Sequence, residues 1–449
     1  MSQRPANRLR PFATIRDSFL EGTATPREFL EECLEAISTR DGDVKAFTAI
    51  NVEPAQASAD AASLRYREGR VLSLLDGCPV AVKDIIDTMD LPTEMNAQAR
   101  KNNQPVRDAA CVYALRQGGA IIVGKTVTTE FACGASGATL NPYNAARTPG
   151  GSSSGSGAAV GAGMVPVALG TQTAGSILRP ASYCGAYALK PSLGATNLGG
   201  VHPVSGTRDH LGVIGASLAD TWQAAQFMSA SAGPAPGCRP IAGSPALPEA
   251  ARPVRLGLLH FAGCQEIDRA TSTAFDEMAG RVRTAGVEIA EPGTDPDLAA
   301  VDRAAVEAEA PGQDIMSYEM LWPYLAYQEA GYELSAPILA YLDHGRGVSA
   351  AQYESALAAR GAARKEIAAH QAKFDAFISL SSSGPAPVGL DYTGSRTFQA
   401  PWSVLGLPTF SLPLLTVEGL PVGVQLMGFD NGEAGLASIA RWIDELLAG

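Results

Sequence analysis

Apolar residues recur at helical spacing after Thr25-Pro26-Arg27-Glu28, at Leu30, Cys33, Leu34 and Ile37, and predict a helix from about 26 to 39. Its start has the capping-box form, with proline at the first helical position. The run Cys78 to Val82 is short and apolar and ends at Lys83-Asp84, the pattern of a buried strand. Asp108 is expected to cap an amphipathic helix that stops at Gly118-Gly119, ahead of a second apolar run from Ala120 to Val123. Strand and helix patterns therefore alternate, which points to an α/β layered fold. Ser231 to Pro253 is rich in Pro and Ala and reads as a surface crossing. Beyond it, Val254 to Leu259 is strand-like, Phe275, Met278 and Val282 have helical spacing, and the pattern stays mostly helical to about Phe374. There is no internal repeat, and no break in composition demands a second independent domain.

Composition narrows the function classes. Of 449 residues, 46% are hydrophobic, enough to build a sizeable core, and the 47 Gly and 30 Pro follow no Gly-X-Y period. With 46 acidic against 34 basic side chains the formal charge is −12, which argues against nucleic acid or an anionic membrane surface as partner. The seven Cys are odd in number, widely spaced and without a C-x-x-C, so neither a disulfide framework nor a zinc site is expected, and no metal or cofactor. A reducing cytoplasm fits this usage. Met1 to Phe12 is basic but leads into no apolar signal region, and no run of about 18 apolar residues occurs, so a soluble, non-exported protein is expected.

Between Thr139 and Gly200 the chain becomes rich in Gly, Ser, Ala and Thr. The segment Gly150-Gly151-Ser152-Ser153-Ser154-Gly155-Ser156-Gly157 admits three readings. A flexible linker is not normally flanked by a proline such as Pro149 and by an apolar run such as Ala158 to Leu169. A phosphate cradle would need the Gly-x-x-x-x-Gly-Lys-Ser/Thr spacing and its lysine, which are absent. The third reading is catalytic, because a second small-residue turn with a serine follows, Gly170-Thr171-Gln172-Thr173-Ala174-Gly175-Ser176-Ile177-Leu178-Arg179-Pro180. An Ala/Val-rich helix between the turns could bring two hydroxyls face to face. The five His offer no partner in a G-x-S-x-G elbow. A lysine serves only when neutral, and burial at the end of an apolar run, where Lys83 lies, disfavours its charged form.

With Pro79-Val80-Ala81-Val82-Lys83-Asp84 upstream, these two turns resemble the amidase signature family. The similarity continues through Lys125, Asn141-Pro142, Cys184-Gly185, Leu189-Lys190-Pro191 and Gly419 to Gln425. The resemblance implies an α/β fold with a large mixed twisted sheet covered by helices on both faces. It also implies one domain over 1–449: a catalytic core at about 75–215, a peripheral and largely helical region at about 254–375, and a return to the sheet over 376–449. Residue by residue, Ser176 matches the family's nucleophile, Ser152 its bridging serine in a cis peptide, Lys83 its base and Ser153 a supporting serine. The backbone N–H groups of Thr173, Ala174, Gly175 and Ser176 match its oxyanion hole. Gln172 stands where most members have Asp, Ala174 where they have Gly, and Arg179 lies three residues after the nucleophile instead of two. These departures resemble the malonamidase branch, which hydrolyses a small amide bearing a carboxylate, with Arg179 as a carboxylate clamp or, alternatively, an internal ion pair. Thr171, Gln172 and Ser153 join Arg179 as substrate-binding candidates.

The expected activity is hydrolysis of a small-molecule amide through a Ser-cisSer-Lys triad and an acyl-enzyme. The alternative is the catalytic subunit of an amidotransferase working with partner subunits. The one self-association entertained is a homodimer. Ser154 and Ser156 are expected to be loop filler, His202 and His210 to be structural, and Cys133 and Cys184 to pack in the core.

Overall fold

The computed structural model describes residues 9–448. Eleven strands form one sheet: β1 Phe47–Ile50, β2 Pro79–Lys83, β3 Ile121–Thr126, β4 Val167–Gln172, β5 Tyr187–Lys190, β6 His210–Gly215, β7 Arg255–Leu258, β8 Glu288–Ala290, β9 Ala376–Leu380, β10 Thr409–Val417 and β11 Leu420–Met427. Their order is β1-β3-β2-β4-β6-β5-β10-β11-β9-β7-β8. β2 runs parallel to both β3 and β4, β7 runs parallel to β8 and β9, and the remaining neighbours are antiparallel. The sheet is therefore mixed, as expected of the family.

Both faces are covered, and the strand sequences say why. Side chains alternate between faces along a strand. Val80 and Val82 of β2 and Val167 and Leu169 of β4 join one apolar cluster, whereas Ala81 and Ala168 between them join the other. Central strands buried on both sides read as near-continuous apolar runs rather than alternating ones. The second cluster is lined by small residues of the helices Ser154–Gly161 and Leu178–Cys184.

The first helix read from the sequence spans Pro26–Val44, and both halves of its Thr25/Glu28 capping box form. The helix after the second apolar signal is Ala110–Gln117, but Asp108 does not cap it. Asp108 instead accepts the Met89 N–H at 2.8 Å and pairs with Arg116 at 3.0 Å, because the chain enters the helix from an extended Ala109. The stretch 254–375 is helical for most of its length, with helices Arg269–Thr284, Pro296–Glu307, Glu309–Glu319, Leu321–Glu329, Ala336–Gly347 and Ala350–Ala369. It also adds β7 and β8 to the sheet edge. Among the described residues, no helix is long and apolar enough to cross a membrane.

Candidate active site

Parallel pairing of β2 with β4, in register Val80↔Val167 through Val82↔Leu169, brings the carboxyl ends of the two strands side by side. In open α/β sheets the crevice outside such strand ends is where ligands bind. Lys83 closes β2 and Thr171-Gln172 close β4, so the lysine and the second Gly/Ser turn meet there.

Lys83 is fully buried. Its ammonium nitrogen lies 2.7 Å from Ser152 Oγ and 2.8 Å from Thr171 Oγ1. Burial pulls its pKa down to about 7, against a weaker upward pull from Asp209 and then Cys133. A lysine that loses its proton near neutrality can accept one, which a solvated lysine cannot. The Gly151–Ser152 peptide is cis.

The helix Ser154–Gly161 runs directly from the first turn and lies against Leu178–Cys184, the helix that follows the second. Glycine permits this approach. A Cβ on Gly157 would stand 2.9 Å from both Cβ and the carbonyl oxygen of Pro180. The two turns are tied by the Ser153 N–H, which donates to the Ser176 carbonyl at 3.2 Å. Ser152 and Ser176 line the same pocket of about 400 Å³. No hydrogen bond joins their hydroxyls.

The second turn is held by the residue that departs from the usual family motif. Gln172 Oε1 accepts the N–H groups of Ile177 and Leu178 at 2.7 and 3.0 Å, and its Nε2 donates to Ser403 Oγ at 2.7 Å. That leaves the N–H groups of Ala174, Gly175 and Ser176 without a protein acceptor among the described residues, with all three residues on the pocket wall. Peptide donors in that arrangement can receive an oxyanion.

Of the four expected substrate-binding residues, Arg179 alone lines the pocket. Gln172 is consumed in bracing the turn. Thr171 accepts from Lys83, and Ser153 Oγ is engaged with the Thr171 backbone at 3.3 Å. Thr171, Gln172 and Ser153 do not line this pocket: their side chains are held by Lys83, by the second turn with Ser403, and by the Thr171 backbone. Ser154 and Ser156 are likewise more than filler: Ser156 donates to the Leu169 carbonyl at 2.8 Å and hydrogen-bonds the Thr126 hydroxyl, and Ser154 reaches the Val127 carbonyl.

Arg179 donates Nη1 to the Gly394 carbonyl at 2.9 Å and Nη2 to the Gly151 carbonyl at 2.7 Å and Thr393 Oγ1 at 3.1 Å. Its Nε has no acceptor. None of the described carboxylates forms an ion pair with it. Burial lowers its pKa, and Arg396 beside it pushes the same way. Arg396 lines the pocket too, donating to Tyr341 Oη at 2.8 Å. Met316 and Pro337, from the helical region, and Asp391 to Ser395, from the loop before β10, complete the far wall. The sequence reading missed this wall, since no local motif marks residues that join the site only through tertiary packing.

His210 Nδ1 contacts the Gln172 carbonyl at 3.0 Å, and His202 sits in a ring cluster with Phe131, Tyr324 and Tyr327. Burial depresses both, His202 to about 4, so both are neutral. Cys184 is in the core, whereas Cys133 lines the pocket beside Tyr324 Oη, 3.5 Å away. Burial raises the Cys133 thiol to about 12, which keeps it protonated.

The Amidase family model matches residues 28–436. AtzE, the 1-carboxybiuret hydrolase component of Pseudomonas sp. (strain ADP), is 37% identical over 255 residues, 55% of this chain and 56% of that protein. The match thus spans little more than half of that relative. A glutamyl-tRNA(Gln) amidotransferase subunit of Chloroflexus aggregans is 31% identical over 93% of this chain and 92% of its own. Among solved structures, a chain from a vestigial protein complex linked to the origins of an s-triazine catabolic enzyme superposes with a TM-score of 0.86 at 28% identity, covering 97% of this chain and 98% of that one. The peptide amidase of Stenotrophomonas maltophilia gives 0.76 at 25% identity, covering 98% and 97%. By the family match over most of its length, and by the hydrolases it resembles, the chain belongs to the amidase family and is a hydrolase of amide C–N bonds.

Proposed function

We propose that the protein hydrolyses a small, carboxylate-bearing amide of the malonamate type through an acyl-enzyme on Ser176. Ser176 Oγ attacks the amide carbonyl carbon while its proton passes to Ser152 and the Ser152 proton to neutral Lys83. The carbonyl oxygen becomes an oxyanion facing the N–H groups of residues 173–176. When the C–N bond breaks, the departing nitrogen takes a proton back along the same path. Water then attacks the acyl ester, again losing a proton toward Lys83, and the acid is released as Ser176 regains its hydrogen. The observation that carries the mechanism is the buried Lys83 at 2.7 Å from Ser152 with its proton loosened to near neutrality.

The substrate class is supported by Arg179, a buried guanidinium on the pocket wall with no acidic partner, with a second guanidinium, Arg396, on the same wall. A buried cation left unpaired is unfavourable, and a substrate anion would compensate it. The single acid on that wall is Asp391 at its exposed side. A fluorophosphonate probe should label Ser176 and fail on Ser176→Ala. Hydroxylamine should trap one acyl group on the Ser176 peptide during turnover of malonamate. Labelling at another residue would end the assignment.

The second reading, a component of an amidotransferase, is favoured by similarity to the glutamyl-tRNA(Gln) amidotransferase chain across 93% of this one. Native purification separates the two: a lone chain that turns over malonamate supports the first, and activity that appears only with co-purified subunits supports the second.

A further inference from the structure

Thr173 heads the turn that carries the N–H groups of Ala174, Gly175 and Ser176, and two consecutive residues grip it. Asp209, just before β6, accepts the Thr173 hydroxyl at Oδ1 over 2.5 Å. Arg208 donates Nη2 to the Thr173 carbonyl at 3.2 Å. Asp209 Oδ2 also accepts the N–H groups of Val204 and Ser205 at 2.8 and 2.9 Å, and Arg208 Nη1 reaches the Gly312 carbonyl in the helical region. Both side chains are buried, at 7% and 3% exposure.

Asp209 stands without an ion pair among the described residues and is kept anionic by its hydrogen-bond donors. Burial pushes its carboxyl up to about 6 against the pull of those donors, which leaves it ionised at neutral pH. The groups acting on Lys83 are this carboxylate, the protonated thiol of Cys133 and the hydroxyls of Ser152 and Thr171. Asp84, although next in sequence, is turned toward Lys125 at 3.0 Å. Those facing Asp209 are Arg208, Thr173, Cys133, Tyr324 and Lys83 itself.

We propose that Asp209 is a positioning residue for the amidase reaction, fixing Thr173 at the head of the oxyanion turn and setting a buried negative charge behind Lys83. It rests on the Ser176–Ser152–Lys83 reading. In that mechanism Lys83 is cationic once it has taken the nucleophile's proton, and a nearby preorganised anion stabilises that state more than the neutral one. Asp209 acts through space and through Thr173, with no direct bond to Lys83. A contact ion pair would hold the lysine protonated at rest and remove the base.

The test compares kcat and KM across pH for the wild type, Asp209→Asn and Thr173→Val, with active sites counted by fluorophosphonate titration. Asp209→Asn should lower kcat per active site by about tenfold or more, leave KM within about threefold, and move the acid limb of kcat/KM to lower pH. The direction follows because removing the anion removes the influence that raises the Lys83 pKa. Thr173→Val should lower kcat while the limb stays in place, since the carboxylate remains. Unchanged kcat per active site with an unmoved limb in Asp209→Asn overturns the proposal. Should that variant not fold, Thr173→Ser against Thr173→Val decides: retained kcat in the first alone supports it, and equal kcat in both overturns it. Failure of the underlying mechanism reads differently, as near-normal turnover in Lys83→Arg.

Discussion

Replacing Arg179 by Ala separates substrate recognition from architecture, and the structure sets the expected sizes. Three of the five N–H donors of Arg179 end on protein oxygens, those of Gly394, Gly151 and Thr393. One of these, the Gly151 carbonyl, belongs to the peptide that bears Ser152, so the substitution loosens the first turn for every substrate. That shared loss, about 1 kcal/mol for each net hydrogen bond, lowers kcat/KM on charged and neutral amides alike. A substrate carboxylate adds a loss of its own. A hydrogen bond to a charged group contributes about 1.5 to 3 kcal/mol, or roughly ten- to 150-fold in kcat/KM. The assay is the ratio of kcat/KM for malonamate over that for butyramide, measured in the wild type and in Arg179→Ala, because the shared loss cancels in the ratio. The ratio should fall by roughly ten- to 150-fold. Arg179→Lys should recover part of it, since a point charge lacks the planar fork. An unchanged ratio, whatever the absolute loss, would mean that Arg179 serves the turn alone, and the carboxylate-bearing substrate class would fall while the serine hydrolase chemistry stood.

Three further outcomes test the site. For Lys83, kcat/KM should decline on the acid side with an apparent pKa near 7, because the protonated amine cannot accept from Ser152. Lys83→Arg, which stays charged over the accessible range, should be inactive in a steady-state assay. Gln172→Leu leaves the Ile177 and Leu178 N–H groups without a partner; at about 1 to 3 kcal/mol for an orphaned buried group, thermal denaturation should show a lower Tm and labelling of Ser176 should slow. Gly157→Val would force a side chain against Pro180 and should destabilise the fold by about 1 to 3 kcal/mol or more by denaturant titration, with a wild-type midpoint refuting the close helix contact.

The sequence by itself determined what is local or periodic. The capping box fixed the start of the helix Pro26–Val44, and the apolar run to Lys83 marked a strand buried on both faces. The two Gly/Ser turns, read with Lys83 as one motif, marked the candidate site. The tertiary structure decided the rest, because those features depend on pairing between segments far apart in the chain. Parallel register of β2 and β4 sets Lys83 beside Thr171. Gln172 lies in the motif and invites a substrate role, yet Ser403, distant in sequence, claims its amide. Asp108 has the sequence position of a cap, but a partner on another loop holds it. Arg179 could have met an acid anywhere in the chain, and only the packing of the loop around Gly394 shows that carbonyls receive it instead. Asp209 carries no local signal at all, and its grip on Thr173 exists only because β6 pairs with β4 and brings His210 opposite Gln172.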